Sequence, residues 1–434
     1  MNKNITIFLG ALCCAFGARA EGFQVNMLSA KQTGMGHMGA AMKLGAESMH
    51  FNPAGLAFMN KTIELSGGFS AIQADAEYEG SGANDGYYRK SNNSLSTPVF
   101  AYAGFRIYDN LKAGISVTTP YGSSMNWAKN WRGAELVQDI SLTAFVVQPT
   151  LSYRITDRLS VGAGLMVAKG SVELSKGLLP VGFLTAMGMG SEYADVVPLG
   201  VTLNGTSKFG YGYNLGIQYD VCSKLTLGFS FRSKMNIEVE DGDIKLNMAS
   251  DAIAPMVPPL NEGTFHAELP LPYNWNIGLA YQPTDRWIVS AEYQRIGWSA
   301  YKSLDVEFNE TALRKYNIYT HKGYSDTYIL RLGAQYAVTG RFDVRAGVYY
   351  DTTPVDKNNY NPETPGMTKV GISAGFSFRP IENLSIDFAM LIIQGLGIDG
   401  SCTYTNSITQ QQSTFEGHYE AFAYAPSIGL SYAF

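Results

Sequence analysis

The glycines at Gly34, Gly36 and Gly39 are the residues whose types and spacing come nearest to a chemical motif. With the residues between them they match the G-x-G-x-x-G pattern, in which glycines let a pyrophosphate approach a helix N-terminus. A dinucleotide site also needs a preceding strand and a βαβ unit, and the surrounding sequence indicates neither. We therefore interpret these glycines as packing positions in a buried segment, and we predict no cofactor.

The histidines are the other candidates for catalysis or metal binding: His37, His50, His266, His321 and His418. Their spacing fits no metal site, and none pairs in sequence with a cysteine. A Ser/His constellation is assembled in space rather than in sequence, but no motif here marks a nucleophile. We predict that the protein is not an enzyme and that it has no catalytic residue and no metal ion.

Residues 1–20 have the pattern of a secretory signal peptide. Lys3 precedes an apolar run over residues 5–16, and residues 18–20 have the small-residue form of a cleavage site. We expect the mature chain to begin near Glu21.

Composition narrows the class of protein further. The net charge of -5 argues against a nucleic-acid partner, which would require a basic surface. After the signal peptide no apolar run approaches the roughly 20 residues that a membrane helix needs. The mean hydropathy of -0.06 remains compatible with a membrane barrel, because alternating strands give a weak hydropathy signal.

Six short segments repeat one plan: an aromatic residue, a polar break four residues later and an apolar residue at the seventh position. They are Phe105–Leu111, Tyr153–Leu159, Tyr219–Leu225, Tyr281–Trp287, Tyr336–Phe342 and Phe378–Leu384. Alternating segments flank each one, so we predict tight hairpins between antiparallel strands. Longer polar loops separate successive hairpins, an asymmetry that is typical of bacterial outer-membrane barrels.

Fourteen strands follow from these turns. Each of the six turns joins two strands, one further strand precedes the first loop and one lies at the end of the chain. We predict an all-β fold in which residues 61–434 form a 14-stranded antiparallel transmembrane β-barrel, because an even number of strands closes the sheet and leaves no edge facing lipid. The long loops are expected near residues 79–95, 123–138, 177–199, 241–262, 300–323, 354–366 and 399–417.

Residues 21–60, called the hatch segment below, fit neither an alternating strand nor a long amphipathic helix. The segment is rich in glycine, methionine and small residues. An irregular backbone at membrane depth must be satisfied by protein or trapped water, so we predict that the segment fills the barrel lumen as an N-terminal hatch.

A second apolar stretch lies in the loop predicted over residues 177–199. It contains Leu178, Leu179, Phe183 and Met187. Such a loop either receives a hydrophobic ligand or packs against other loops and lipopolysaccharide, and the sequence leaves both interpretations open.

Stretches along the chain, taken in order, resemble the FadL/TodX family of outer-membrane transporters for long-chain fatty acids and hydrocarbons. They are Gly22–Asn26, Thr33–Gly36, Phe51–Leu56, Thr119–Gly122, Trp131–Gly133, Gln148–Ile155, Leu271–Pro272, Gly297–Ser299, Arg345–Val355 and Pro365–Gly366. The resemblance covers nearly the whole mature chain. It implies a barrel with an N-terminal hatch, capture of ligand among the loops, a lumenal site and sideways release through a kinked wall strand.

The resemblance also suggests residues for each role. The gate and hatch residues are Gly22, Phe23, Asn26, Gly34, Gly36, Asn52, Pro53 and Ala54. The ligand-binding candidates are Trp127, Trp131, Leu178, Leu179, Phe183, Met187, Lys169 and Lys176. The wall kink is expected on the third strand, within residues 112–122, at Gly114 and Pro120.

We therefore predict passive transport of hydrophobic small molecules, either long-chain fatty acids or hydrocarbons, across the bacterial outer membrane. The alternative is a plugged barrel that serves as a surface binding or structural protein. The expected partners are the hydrophobic ligand, outer-membrane lipid and lipopolysaccharide. The barrel-assembly machinery is also expected, since the last strand alternates and ends in Phe434. We expect a monomer and no nucleic acid.

Overall fold

The computed structural model describes residues 23–257 and 263–434. The predicted signal peptide and the first two residues of the hatch segment, Glu21 and Gly22, lie outside the described residues. Within those ranges the chain forms 22 strands. They are β1 Ile63–Ser70, β2 Gln73–Gly80, β3 Tyr88–Lys90, β4 Val99–Arg106, β5 Leu111–Asn126, β6 Asp139–Arg154, β7 Leu159–Gly177, β8 Leu199–Thr206, β9 Gly210–Cys222, β10 Leu225–Arg232, β11 Met235–Met248, β12 Thr264–Leu271, β13 Asn274–Thr284, β14 Trp287–Ile296, β15 Ser303–Phe308, β16 Ile318–His321, β17 Thr327–Thr339, β18 Phe342–Asp351, β19 Lys369–Ile381, β20 Leu384–Gly395, β21 Ile398–Thr405 and β22 Gln412–Ala433.

Fourteen of these strands form one closed antiparallel ring. The order around the ring is β1, β4, β5, β6, β7, β9, β10, β13, β14, β17, β18, β19, β20 and β22. The ring closes where β22 pairs with β1, from Glu64 opposite Ala433 to Ser70 opposite Ser427. The predicted 14-stranded barrel is therefore confirmed.

The six predicted hairpins all join neighbouring strands of this ring. In the turn between β9 and β10, Cys222 pairs with Leu225, so only two residues lie between them. Such short connections suit antiparallel strands because the twist of the turn matches the twist of the strands.

The strands extend further than the sequence predicted. β15 and β16 lie within the loop expected over residues 300–323, and β21 begins one residue before the loop expected over residues 399–417 and runs into it. β15 does alternate, with Leu304, Val306 and Phe308 at every second position, and β21 places Ile398, Cys402 and Tyr404 on one face, so a period of two was present in these segments although they were predicted as loops. Their backbone groups still need partners, and continuation of the ladder supplies them.

Side chains alternate across the wall. In β6, Phe145 and Val147 are exposed on the outer face, whereas Gln148 and Thr150 are buried on the inner face. An apolar outer surface with a polar interior suits a barrel that stands in lipid.

The helices are short. They are α1 Ala30–Thr33, α2 Ser48–Phe51 and α3 Phe183–Ala186, with 3₁₀ helices at Gly45–Glu47, Pro53–Phe58, Gly82–Asn84, Ser191–Tyr193, Asp251–Met256, Trp298–Ala300, Arg314–Tyr316 and Lys357–Asn359. In the part of the chain that the structure describes, no helix is long and apolar enough to cross a membrane.

The described part of the hatch segment packs against strands all around the ring. α1 contacts β19, β20 and β22, while α2 and the neighbouring 3₁₀ helices contact β1, β4, β5, β6, β7 and β9. On the opposite side, residues 35–41 lie against glycines of β10, β13, β17 and β18. The segment therefore meets both sides of the closed ring and lies inside it.

Candidate functional site

Asn52 fixes the centre of the hatch segment to the barrel wall. Its side-chain amide donates hydrogen bonds to the carbonyl oxygens of Ala40 at 2.6 Å, Ile217 at 3.1 Å and Phe229 at 3.2 Å. Its Oδ1 accepts a hydrogen bond from the N–H of Ala54 at 3.1 Å. Because Asn52 is fully buried, these bonds are shielded from water and hold the hatch segment against β9 and β10.

Two wall glycines make room for this turn. Gly162 of β7 and Gly216 of β9 are paired across the sheet. A methyl group would lie 2.3 Å from the backbone of Pro53 at the first position and 1.9 Å from Oδ1 of Asn52 at the second. Only glycine therefore allows the turn to approach the wall so closely.

The glycine motif of the hatch segment makes a similar contact with β19. A Cβ on Gly34 would lie 3.0 Å from the Cα of Gly375. Gly36 adopts a φ of +72° and donates its N–H to Oγ of Ser373 at 3.0 Å.

Among the described residues, no group of His, Cys, Asp and Glu could hold a metal ion.

Residues 23–27, called the leading segment below, add backbone hydrogen bonds to β5. The N–H of Gly122 donates to the carbonyl of Phe23 at 2.8 Å, and the N–H of Val25 donates to the carbonyl of Pro120 at 2.9 Å. Gln24 thereby forms an isolated antiparallel bridge with Tyr121.

This bridge occupies an edge of β5 that β4 leaves unpaired. The pairing of β4 with β5 ends at Phe100 opposite Thr118. β5 regains a partner at Asn126, which bonds to the chain that precedes β4. The N–H of Asn126 donates to Oδ1 of Asn93 at 2.7 Å, and its carbonyl accepts from the N–H of Asn92 at 2.8 Å. The hydroxyl of Thr119 still bonds the backbone of Val99, so the wall has a gap beside residues 120–125.

A β-bulge lies at the same place on the other edge of β5. Thr118 pairs with Val146 and Tyr121 pairs with Ala144, so Thr119 and Pro120 together face a single residue of β6. An extra residue bends a strand and increases its twist. Gly114, the other position named for the kink, lies in regular pairing with Gly104 and Thr150.

The gap opens into a cavity of about 560 Å³, called the lateral cavity. Leu95, Val99 and Phe145 line it and are 55%, 38% and 47% exposed on the outer surface. Met27 and Tyr121 line it from the lumen and are buried. The lateral cavity therefore joins the lumen to the apolar outer face of the barrel.

A second cavity, of about 60 Å³, is called the apolar cavity. Its lining includes Ile140, Leu142, Leu203, Ile237, Val239 and Phe265. Phe23 also lines it, and its ring packs edge-on against Trp298 and Tyr301, with centroids 4.9 and 5.7 Å apart. Sequence reasoning assigned no role to Trp298 or Tyr301, although Gly297–Ser299 belonged to the resemblance.

The structure brings four of the predicted apolar ligand residues into one buried cluster. Trp127 and Trp131 stack with ring centroids 4.4 Å apart, and Leu178 and Leu179 are buried in the same cluster. Phe183 is half-buried against it in α3. Met187, in contrast, is 60% exposed and does not join the cluster.

The two predicted basic residues lie in different places. Lys169 is exposed on the outer face of β7, with its Nζ 5.2 Å from the ring centroid of Phe209. Lys176 lines a different cavity, of about 440 Å³, which is called the outer cavity. The structure also contains a buried ion pair that the sequence did not predict. Nζ of Lys322 lies 2.8 Å from Oε2 of Glu363, and Glu363 also lines the apolar cavity.

Two buried histidines of the hatch segment are held neutral. Nε2 of His37 accepts from the N–H of Leu28 at 3.2 Å, and Nδ1 of His50 accepts from Nη2 of Arg232 at 3.0 Å. Burial lowers the pKa of both histidines well below the ordinary value. The positive charge of Arg331 lowers the pKa of His37 further, and the positive charge of Arg232 lowers the pKa of His50 further. Protonation would turn each acceptor nitrogen into a donor and break its bond.

The fold and the site together define a transmembrane β-barrel whose occupied lumen communicates with a gap in its wall. Residues 11–434 match the family described as "Outer membrane protein transport protein (OMPP1/FadL/TodX)", and the chain belongs to this family. It is therefore an outer-membrane transport protein, and the predictions of outer-membrane location and of no enzyme activity are confirmed.

Individual relatives are distant in sequence but match over most of their length. The long-chain fatty acid transport protein of Shigella flexneri is 22% identical over 405 residues, which are 88% of this chain and 89% of that protein. The structure of a Pseudomonas aeruginosa FadL homologue has a TM-score of 0.79 and 20% identity, covering 95% of this chain and 100% of that one. The Pseudomonas putida toluene transporter TodX has a TM-score of 0.70 and 19% identity, covering 94% and 99%.

Proposed function

We propose that this protein carries long-chain fatty acids or hydrocarbons passively across the outer membrane. The ligand is captured among the loops and passes the apolar cavity beside Phe23, which at about 60 Å³ holds only part of a long chain until the leading segment moves. It leaves through the lateral cavity into the bilayer. The observation that carries the proposal is the lateral cavity, since it connects buried Met27 with exposed Leu95 across the wall. The names of the relatives supply the two substrate classes.

Sideways release is favoured by the free energy of burying the ligand. A chain of about 16 carbons gains on the order of 10 kcal/mol from burial at about 0.8 kcal/mol per methylene group. Release into water would forfeit this free energy and would be very slow. Passage from an apolar cavity into lipid retains most of it, so transport needs no energy input.

The leading segment acts as the gate in this proposal. Phe23 lines the apolar cavity, whereas Gln24 and Val25 line the lateral cavity. Displacement of these residues would therefore join the two cavities. The remainder of the hatch segment stays anchored through Asn52, and Pro53 and Ala54 form the anchored turn.

The same proposal includes the remaining partners. Outer-membrane lipid covers the exposed apolar side chains, and lipopolysaccharide surrounds the loops. The barrel-assembly machinery inserts the chain through its last strand, where Ile428, Leu430 and Phe434 are exposed. The barrel works as a monomer in this proposal, since its closed ring leaves no free strand edge with which a second copy could pair.

A disulfide across the gate tests this function. Residues facing each other in an antiparallel bridge have Cα atoms about 4.5–5.5 Å apart, which a disulfide can span. We therefore combine Gln24→Cys with Tyr121→Cys in a chain whose native thiols are removed by Cys222→Ser and Cys402→Ala. In cells that lack the native gene, uptake of labelled palmitate and toluene is expected to stop on oxidation and to return on reduction.

The matched control is a disulfide outside the gate. Thr403 and Thr414 face each other in the hairpin of β21 and β22, with their hydroxyl oxygens 3.2 Å apart. Thr403→Cys with Thr414→Cys should leave uptake unchanged in both redox states. Equal uptake by the oxidised and reduced gate variants would disprove the gate. Normal uptake of both substrates without any functional copy would instead favour the surface binding or structural role.

A further inference from the structure

A third cavity beside the leading segment is polar, and the proposed route does not use it. This polar cavity has a volume of about 40 Å³, and Arg232, Arg331, Glu292, His37 and His50 contribute to its lining. It lies among β10, β14, β17 and the hatch segment, inside the barrel. Charged groups in such a place need a counter-charge or a ligand.

Arg232 has unused hydrogen-bond donors in this cavity. Its side chain is only 5% exposed, and its Nη2 donates to the carbonyl of His50 at 2.8 Å and to Nδ1 of His50 at 3.0 Å. A guanidinium carries five N–H donors, so three remain after these two bonds. Within residues 23–257 and 263–434, no acceptor meets those three donors and no carboxylate forms an ion pair with Arg232.

The other charges of the cavity are already paired. Arg331 contacts Oε1 of Glu292 at 3.4 Å and donates to Gln294 at 2.7 Å. The second oxygen of Glu292 accepts from the N–H groups of Gly39 at 2.9 Å and Ala40 at 2.7 Å. Glu292 is therefore committed to Arg331 and to the hatch segment and cannot also neutralise Arg232.

We propose that the polar cavity is a binding site for one small monovalent anion, held by the guanidinium of Arg232. Two arginines and one glutamate leave a net charge of +1 there when both histidines are neutral. An isolated buried charge is unfavourable, and a bound anion offsets that cost. The volume admits a halide or a single carboxylate group, but no larger polyanion.

The anion has two possible sources with the same chemistry. One is a free ion from solution, and the other is the carboxylate end of a fatty acid held in the lateral cavity. Gln24, Val25 and Tyr121 line both the polar and the lateral cavities, so a ligand in one is next to the other. The second source rests on the proposed function, whereas the first does not.

Bromide diffraction tests the site without requiring transport. Crystals of the full-length protein are soaked in sodium bromide, and an anomalous peak is expected within hydrogen-bonding distance of the Arg232 guanidinium. The peak should disappear in Arg232→Gln and persist in Arg345→Gln. Arg345 is a matched control because it is also buried but contacts a carboxylate, that of Asp343, at 3.7 Å.

The wild-type protein supplies a second test that does not depend on folding of a variant. Its unfolding temperature in detergent should rise with bromide when gluconate keeps the ionic strength constant, because an ion that binds only the folded state stabilises it. No rise together with no peak at Arg232 would overturn the proposal. A peak that remains in a folded Arg232→Gln protein would overturn it equally.

Ligand affinity distinguishes the two sources. If a fatty acid supplies the anion, hexadecanoate should displace bromide, and Arg232→Gln should weaken hexadecanoate binding about tenfold, equivalent to about 1.4 kcal/mol. Binding of hexadecanol should not change. If a free ion is the occupant, bromide should remain when hexadecanoate binds, and affinity for both ligands should be unaltered. The bromide peak establishes the site in either case, so failure of transport alone does not overturn it.

Discussion

The N–H of Gly122 donates a 2.8 Å hydrogen bond to the carbonyl of Phe23, so the first described residue of the chain completes the edge of a wall strand. In lipid, an unpaired backbone group costs several kcal/mol, which makes an open strand edge unfavourable. The leading segment satisfies that edge from within the lumen. The gate and the gap that it covers are therefore parts of one hydrogen-bonded unit.

Phe23→Ala should release the leading segment. Phe23 is only 2% exposed, and removing its ring is expected to cost about 3 kcal/mol in local stability. We expect faster hydrogen exchange at the amides of Val25 and Gly122 and faster passage of a fluorescent fatty acid in reconstituted vesicles. Phe376→Ala removes an equally large ring from the outer face and serves as the control. Unchanged exchange at both amides would show that the ring does not hold the gate.

Asn52→Ala should detach the hatch segment while the barrel still assembles. The carbonyl oxygens of Ile217 and Phe229 would lose this donor, whereas that of Ala40 would keep its bond from Nε2 of Gln218 at 3.0 Å. Each buried group left unsatisfied costs about 1–3 kcal/mol. Uptake should fall, and proteolysis should cut the hatch segment faster, while the heat-dependent gel mobility of a folded barrel is retained. Asn110→Ala, at an exposed turn, should have no effect. Failure of the barrel to form would make Asn52 a folding residue instead of a hatch residue.

Deletion of Pro120 should restore regular pairing between β5 and β6. Without the extra residue Thr119 can pair with Phe145, the bend is lost and the gap beside the leading segment should narrow. We expect uptake to fall while thermal stability is kept or raised. Pro120→Ala retains the residue count and the bulge, so its uptake should stay close to wild type. Equal uptake by the two variants would remove the bulge from the mechanism.

Acid should destabilise the hatch segment through His37 and His50. The unfolded chain takes up protons below about pH 6.5, but burial keeps the folded histidines neutral to lower pH. The free energy of unfolding should therefore decrease as the pH falls from about 6.5 toward the folded pKa, by about 1.4 kcal/mol per pH unit for each histidine.

Urea titrations in detergent measure how the free energy of unfolding changes with pH. A range of about pH 7 to pH 5 is suitable because it spans the unperturbed histidine pKa of about 6.5. His37→Asn with His50→Gln should flatten the slope with pH, and Asn suits the φ of +61° at position 37. His321→Gln changes an exposed histidine and should leave the slope unaltered. Equal slopes for wild type and the double variant would contradict the prediction.

Local patterns predicted much of the fold. The six turns repeat within a few residues of sequence, and a period of two marks the strands between them, so the strand count did not depend on distant contacts. The same period also gives the direction of Lys169, since buried Met166 and Ala168 place the next residue on the outer face. The alternation in β7 therefore held the information that Lys169 faces away from the lumen.

The amino-acid sequence by itself determined the closed barrel, its turns and an irregular segment too apolar and glycine-rich to lie in water. Tertiary structure alone decided where Phe23 meets β5, which edge β4 leaves open and that Arg232 has no carboxylate partner among the residues that the structure describes. The contact of the leading segment with β5 joins Phe23 and Gly122, which lie about a hundred positions apart. Local periodicity has no information on such pairs, because closure of the ring brings them together.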